Sequence, residues 1–181
     1  KTSSCLGDSV TLYVVATGDS LKYQWRLNGI DISGAIQSSI TINPVTLANT
    51  GDYTCWVYNN CGGVLSNVAT LSVNLVPHIV VQPQKISSCP GYSATFSITA
   101  TGDSLEYQWM RNGVILPGET NDSLTINPVT YNDTASYTCL VSNTCGSELS
   151  TPAKLTINIP PVITVQPHDI STCIGSSITL N

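Results

Sequence analysis

The chain repeats itself with a period of 84 residues and without insertion or deletion. Cys5, Cys89 and Cys173 fall at that spacing, as do the pairs Trp25/Trp109, Cys55/Cys139 and Cys61/Cys145. The segment Thr41–Thr46 recurs unchanged as Thr125–Thr130. Self-similarity at a fixed period marks an array of like modules. A catalytic site breaks such symmetry because its residues are needed once, and no residue present once here has a catalytic character. The 181 residues amount to two periods and 13 residues more. The expected units are therefore 1–76, with its first strand incomplete, 77–160, and the start of a third repeat over 161–181. Lys1 aligns with Lys85, well inside a repeat, so the sequence reads as a window on a longer array. A unit of this size holds one small core.

Composition narrows the partners. Asp, Glu, Lys and Arg together make 9% of the chain, and the formal net charge is −5. Nucleic acids and anionic membranes need clustered Lys and Arg, which are absent. No run approaches the roughly 18 apolar residues that span a bilayer, and no signal peptide is visible. Seven cysteines on a chain so poor in charge point to an oxidising, extracellular setting. A zinc site is not expected, because no Cys-x-x-Cys occurs and His78 and His168 fall in linkers. No cofactor is implied.

Ser, Thr, Asn, Val and Ile dominate, which favours strands and turns over helices. The expected strands of the first unit are Val10–Ala16, Leu21–Arg26, Ser38–Ile42, Asp52–Tyr58 and Val64–Val73. Asn28–Gly29 is a hairpin signal, and Asn43–Pro44 ends a strand. The second unit repeats the pattern as Ala94–Ala100, Leu105–Met110, Ser123–Ile126, Ser136–Val141 and Leu149–Ile157. Leu75–His78 and Ile159–Val162 read as short, stiff linkers. Ile79–Pro83 reads as an opening strand, with Pro83 suited to an edge or a strand switch.

Trp25 precedes Cys55 by 30 residues, and Trp109 precedes Cys139 by the same distance. Around the cysteines stand Gly51-x-Tyr53-x-Cys55 and Asp133-x-Ala135-x-Tyr137-x-Cys139. These patterns resemble the immunoglobulin superfamily, in which an Asp-x-Gly/Ala-x-Tyr-x-Cys motif marks strand F and the Trp sits on strand C. The resemblance covers both full units. It implies an all-β fold of tandem immunoglobulin-like β-sandwiches arranged head to tail, with Trp25, Tyr53, Trp109 and Tyr137 as core residues. The strand-B cysteine of antibody domains is missing, its position holding Val14 and Ile98, and Asn49 replaces the motif Asp in the first unit. The strings Tyr23-Gln24-Trp25, Cys5-x-Gly7 and Asn60-Cys61-Gly62 further resemble immunoglobulin-like repeats of large secreted proteins of Bacteroidota. That likeness implies a surface filament or adhesin stalk. It also implies O-glycosylation at Asp-Ser/Thr-aliphatic triplets, namely at Ser9, Ser20, Ser104, Ser123 and Thr134. The plainer reading is that Asp-Ser starts strands after turns.

Cysteine pairing stays open between two arrangements. Cys5 and Cys61 belong at opposite ends of one sandwich, whose strands span roughly 20 Å, whereas bridged Cα atoms lie within about 7 Å. In a head-to-tail string Cys5 approaches Cys145 of the following unit, and Cys89 awaits the same residue of a third. Cys55 and Cys139 are then buried thiols, and Cys173 repeats the position of Cys5. The rival is Cys5–Cys55 within the unit, with Cys61 free or bonded to another chain.

Catalysis is not expected: two linker histidines build no triad, and Cys55 has no base near it in sequence. Trp56 is expected to point outward by strand alternation, either to stack on sugar or to pack on a neighbouring strand. Carboxylates near Asp19 and Asp103 are too sparse for a calcium site between units. The expected role is structural: a rigid spacer or shaft with an adhesive contribution. Its partners are neighbouring repeats and identical chains, and exposed edges such as Val64–Val73 offer lateral pairing. The alternatives are a module recognising surface glycan or a host protein, and an accessory region of a secreted hydrolase.

Overall fold

The computed structural model describes residues 2–171, 173–175 and 177. The first unit contains β1 (Thr2–Cys5), β2 (Val10–Tyr13), β3 (Lys22–Leu27), β4 (Ile30–Asp31), β5 (Ser39–Ile42), β6 (Gly51–Asn59), β7 (Gly62–Leu65) and β8 (Ala69–Asn74). The second contains β9 (His78–Val81), β10 (Ile86–Ser88), β11 (Ala94–Ser97), β12 (Thr99–Thr101), β13 (Glu106–Arg111) and β14 (Val114–Ile115). It continues with β15 (Ser123–Ile126), β16 (Ala135–Asn143), β17 (Gly146–Leu149) and β18 (Ala153–Ile157). In each unit one sheet runs β1-β8-β6-β3-β4, or β10-β18-β16-β13-β14, with β7 or β17 added to the long central strand. The opposing layer is β2-β5, or β11-β15. These are tandem immunoglobulin-like sandwiches.

Strand alternation explains the core. Tyr53, Cys55 and Val57 on β6 are buried, as are Tyr137, Cys139 and Val141 on β16, while the residues between them face outward. Trp25 and Trp109 are 2% and 0% exposed. Each indole N–H donates to a backbone carbonyl, of Gln37 at 3.0 Å and of Asn121 at 2.9 Å, so the large ring is buried without an orphan donor. Tyr53 donates its hydroxyl to the Asn49 carbonyl and Tyr137 to that of Asp133, both at 2.9 Å. This is the tyrosine corner of such sandwiches. In the second unit Phe96 stacks on Tyr137, with ring centroids 4.9 Å apart, and lies 6.1 Å from Trp109. Among the described residues no disulfide joins the two layers of a sandwich, Cys139 being a free core thiol, and aromatic packing fills the centre of the second unit.

The hairpin expected at Asn28–Gly29 forms, both residues having positive φ, and joins β3 to β4. Asn49 does the structural work of the missing Asp. Its Oδ1 accepts from the Thr46 N–H and hydroxyl at 2.6 and 2.7 Å, as Asp133 does from Thr130.

Three expected elements differ. The strand anticipated over Val64–Val73 is broken between β7 and β8. The Cys55 N–H donates to the Ser66 hydroxyl (2.9 Å), which itself donates to the Asn67 carbonyl, so a side chain replaces a ladder partner. Ser150 does the same for Cys139. The strand anticipated over Ala94–Ala100 changes partner, β11 pairing with β15 and β12 with β9. Residues 160–171 carry no strand and are exposed, although 163–167 repeats 79–83 with Thr164 in place of Val80. Residues 172, 176 and 178–181 of the expected third repeat lie outside the described residues.

Candidate functional site: the joint between the units

The site is built where the tail of the first sandwich meets the head of the second. β1 lies parallel to β8 with Cys5 opposite Asn74, so Cys5 stands at the mouth of the linker. Cys145 sits in the turn after β16. The Asn143 side-chain carbonyl accepts the N–H groups of Cys145 (2.8 Å) and Gly146 (3.2 Å), which shapes that turn. Cys5 and Cys145 form a disulfide with Cα atoms 5.5 Å apart across 140 residues of sequence.

Polar contacts hold the linker on the second unit. The Asp103 carboxylate accepts the Leu75 N–H at 2.8 Å, and Asn143 Nδ2 donates to the Leu75 carbonyl at 2.7 Å. Asn143 Nδ2 also donates to the Asp103 carbonyl at 2.8 Å, which ties the two clamp residues together. Gly102 leaves room for this approach, since a Cβ there would lie 3.1 Å from the Val76 carbonyl oxygen and 3.2 Å from Pro77 Cα. Further along, Glu148 accepts the Ile79 N–H at 2.9 Å, and Gln82 Oε1 accepts the Thr151 N–H at 2.8 Å. Ile79 and Pro83 are buried in the second unit. A linker fixed at so many points limits bending at the joint.

The remaining sites fall into place around it. Cys55 is buried opposite Trp25 in mid-sheet, whereas Cys5 ends its strand beside the linker; the Cys5–Cys55 alternative is therefore not the pairing found. Burial pushes the Cys139 thiol up to about 11 and that of Cys55 up as well, so both rest as neutral core thiols. Cys61, Cys89 and Cys173 are exposed. Burial also raises Tyr53 and Tyr137. Asp133 is held below the usual carboxylate range by the Thr130 hydroxyl and N–H and the nearby Arg111 guanidinium.

Trp56 is half-buried and not a free stacking plate. A Cβ on Gly63 would lie 2.5 Å from its Cζ2, so the indole rests on the glycine of the adjacent strand. Asp103 is engaged with the linker. Among the described residues no three His, Cys, Asp or Glu side chains group as metal ligands. The five Asp-Ser/Thr triplets each lead directly into a strand, β2, β3, β13, β15 and β16 respectively. Ser9, Ser20, Ser104 and Thr134 are exposed there and Ser123 is half-buried. Sequence reasoning weighed Asp103 only for calcium and missed Asn143 and Gly102, though the period flags all three, since they repeat Asp19, Asn59 and Gly18.

Residues 76–143 match the family model described as "Immunoglobulin domain". Among curated proteins, the chain is similar to the cell adhesion molecule DSCAML1 of Homo sapiens, 29% identical with 93% of the chain covered. It is similar also to the cell adhesion molecule Dscam2 of Drosophila melanogaster, 28% identical over 87% of the chain. The chain spans 9% of the length of each. Among solved structures, the titin I-band fragment I67-I69 matches with a TM-score of 0.77 and 21% identity, covering 92% of this chain and 66% of that one. The N-terminal four Ig domains of Dscam1 isoform 8.4 match with a TM-score of 0.58 and 23% identity, covering 87% of this chain and 43% of that one. These two show the fold. The relatives are animal cell adhesion molecules, which corrects the likeness drawn to Bacteroidota repeats. A short string such as Tyr23-Gln24-Trp25 serves the sandwich itself, Trp25 in the core and Gln24 bonding the Trp25 and Ile32 carbonyls, and carries no lineage.

Proposed function

We propose that the chain is a non-catalytic, extracellular spacer segment of a cell adhesion protein, built to hold successive immunoglobulin-like units at a fixed angle. The units are 1–76 and 77–160, with a third starting at 161. The Cys5–Cys145 disulfide carries this reading, because it ties the tail of one core to the head of the next. The linker clamp at Leu75 restricts the same joint directly beside the disulfide. The adhesive contribution rests on the open edge of β7, which among the described residues pairs only with β6 and exposes Val64 and Leu65. The similarity to cell adhesion molecules supports both parts.

Small-angle scattering on dilute protein tests the spacer. The wild type is expected to fit one elongated particle, whereas Cys5→Ser combined with Asp103→Ala broadens the distance distribution. Equal flexibility in the two proteins would remove the support for a stiffened joint.

A further inference from the structure

Two tripeptides of the second unit have no counterpart in the first. Asn121-Asp122-Ser123 and Asn132-Asp133-Thr134 each place an asparagine two residues before a hydroxyl, with a residue other than proline between. No other Asn-x-Ser or Asn-x-Thr occurs in the sequence. This spacing is the acceptor pattern for N-linked oligosaccharide: an enzyme grips the hydroxyl and activates the amide two residues earlier. Both tripeptides overlap Asp-Ser/Thr-aliphatic triplets, at Ser123 and Thr134. The two patterns assign sugar to different atoms, the hydroxyl oxygen in one and the amide nitrogen in the other.

The fold holds both asparagines outward on a fixed backbone. Asn121 is exposed in the bend that leads into β15. Its carbonyl accepts the Trp109 indole N–H at 2.9 Å, and the Asp122 carbonyl accepts the Ile98 N–H at 3.0 Å. Asn132 is exposed in the single 3-10 turn Tyr131–Asp133 between β15 and β16. The Asp133 carboxylate beside it accepts the Thr130 N–H and hydroxyl, both at 2.7 Å, and the Tyr131 carbonyl accepts the Thr134 N–H at 3.4 Å. Among the described residues neither asparagine side chain makes a hydrogen bond, whereas the Asn112 and Asn143 amides are engaged in the fold. Both acceptors flank β15, which among the described residues pairs only with β11, so a sugar there displaces no neighbouring strand. Ser123 is half-buried while Asn121 is exposed, which favours the amide over the hydroxyl as the bearer of a bulky group.

We propose that Asn121 and Asn132 are N-glycosylation sites, each taking an oligosaccharide from a polyprenyl-diphosphate-linked donor in the secretory pathway. The side-chain Nδ2 attacks the anomeric C1 of the first sugar. The Nδ2–C1 bond forms as the C1–O bond to the diphosphate breaks, and the amide proton leaves with the polyprenyl diphosphate. Donor and transferase belong to that compartment, so the proposal rests on the extracellular reading of the chain. The first unit stays bare, because Gln37 and Ala48 stand where the second unit has Asn121 and Asn132. Sugar is therefore confined to one of two otherwise like sandwiches, at the two ends of β15.

Secretion of the chain from animal cells, followed by peptide-N-glycosidase in heavy-oxygen water and peptide mapping, tests it. The enzyme should convert Asn121 and Asn132 to aspartates carrying heavy oxygen, and no asparagine of the first unit. Asn121→Gln and Asn132→Ala each install the residue with which the first unit folds. Each should lower the intact mass by one oligosaccharide, and together they should leave a chain whose mass the enzyme no longer shifts. Ser123→Ala should strip the sugar from Asn121 while keeping the asparagine. Bare Asn121 or Asn132 in the secreted wild type, sugar that resists the enzyme and maps to Ser123 or Thr134, or sugar on Asn121 that persists in Ser123→Ala would each overturn the proposal. A secreted chain with Cys5 bonded to Cys145 and both asparagines bare would reject the acceptors and leave the extracellular spacer reading standing.

Discussion

Cys5 and Cys145 belong to different β-sandwiches, yet their Cα atoms stand 5.5 Å apart and their side chains share a disulfide. The pairing requires the tail of one sandwich and the head of the next to be held together. It leaves Cys55 and Cys139 as core thiols.

Thiol accessibility should divide the cysteines sharply. A membrane-permeant or soluble maleimide added to the native protein should label Cys61, Cys89 and Cys173, while Cys55 and Cys139 react only after denaturation. Their burial and raised thiol pKa both slow attack. Rapid native labelling of Cys139, read by mass spectrometry, would contradict the packing described.

Trp109→Ala should destabilise the second unit by about 3–5 kcal/mol, the usual cost of removing a fully buried large aromatic. The change is read as a lowered denaturation midpoint for that unit. An effect below about 1 kcal/mol would mean that the residue packs as a surface side chain.

Tyr137→Phe keeps the ring and removes only the hydroxyl that donates to the Asp133 carbonyl. The expected loss is about 1 kcal/mol, the net worth of one such bond. Tyr53→Phe should act alike in the first unit, because the same bond is made to Asn49.

Acid should weaken the second unit before the first through one group. The Asp133 pKa is lowered in the folded state, chiefly by the Thr130 hydroxyl, so its contribution is fully present above the ordinary carboxylate pKa. That contribution is lost as pH falls from the ordinary value through the lowered one. Asn49 fills this place in the first unit and does not titrate there. Asp133→Asn should flatten the acid limb of the second unit's stability curve; an unchanged limb would assign the acid sensitivity elsewhere.

Local and repeated features were legible from sequence. Trp25, Tyr53 and the Asn28–Gly29 turn each act through one or two residues at fixed spacing, so period and alternation suffice to place them. The break at Ser66 was not legible, because a hydroxyl that replaces a ladder partner leaves the apolar pattern of β7 and β8 intact. The clamp on Leu75 was missed for another reason: Asp103 and Asn143 are 40 residues apart and meet only once strands 13 and 16 are paired. Cysteine spacing alone left Cys5–Cys145 and Cys5–Cys55 both open. The choice depends on whether Cys5 lies in mid-sheet or at the strand end beside Asn74.

Non-reducing peptide mapping of the native chain tests the central claim most directly. A cross-linked fragment pair containing Cys5 and Cys145, with Cys55 and Cys139 recovered as thiols, is the expected result. Recovery of Cys5 joined to Cys55, or of Cys145 as a free thiol in protein purified without reductant, would contradict a covalently fastened joint.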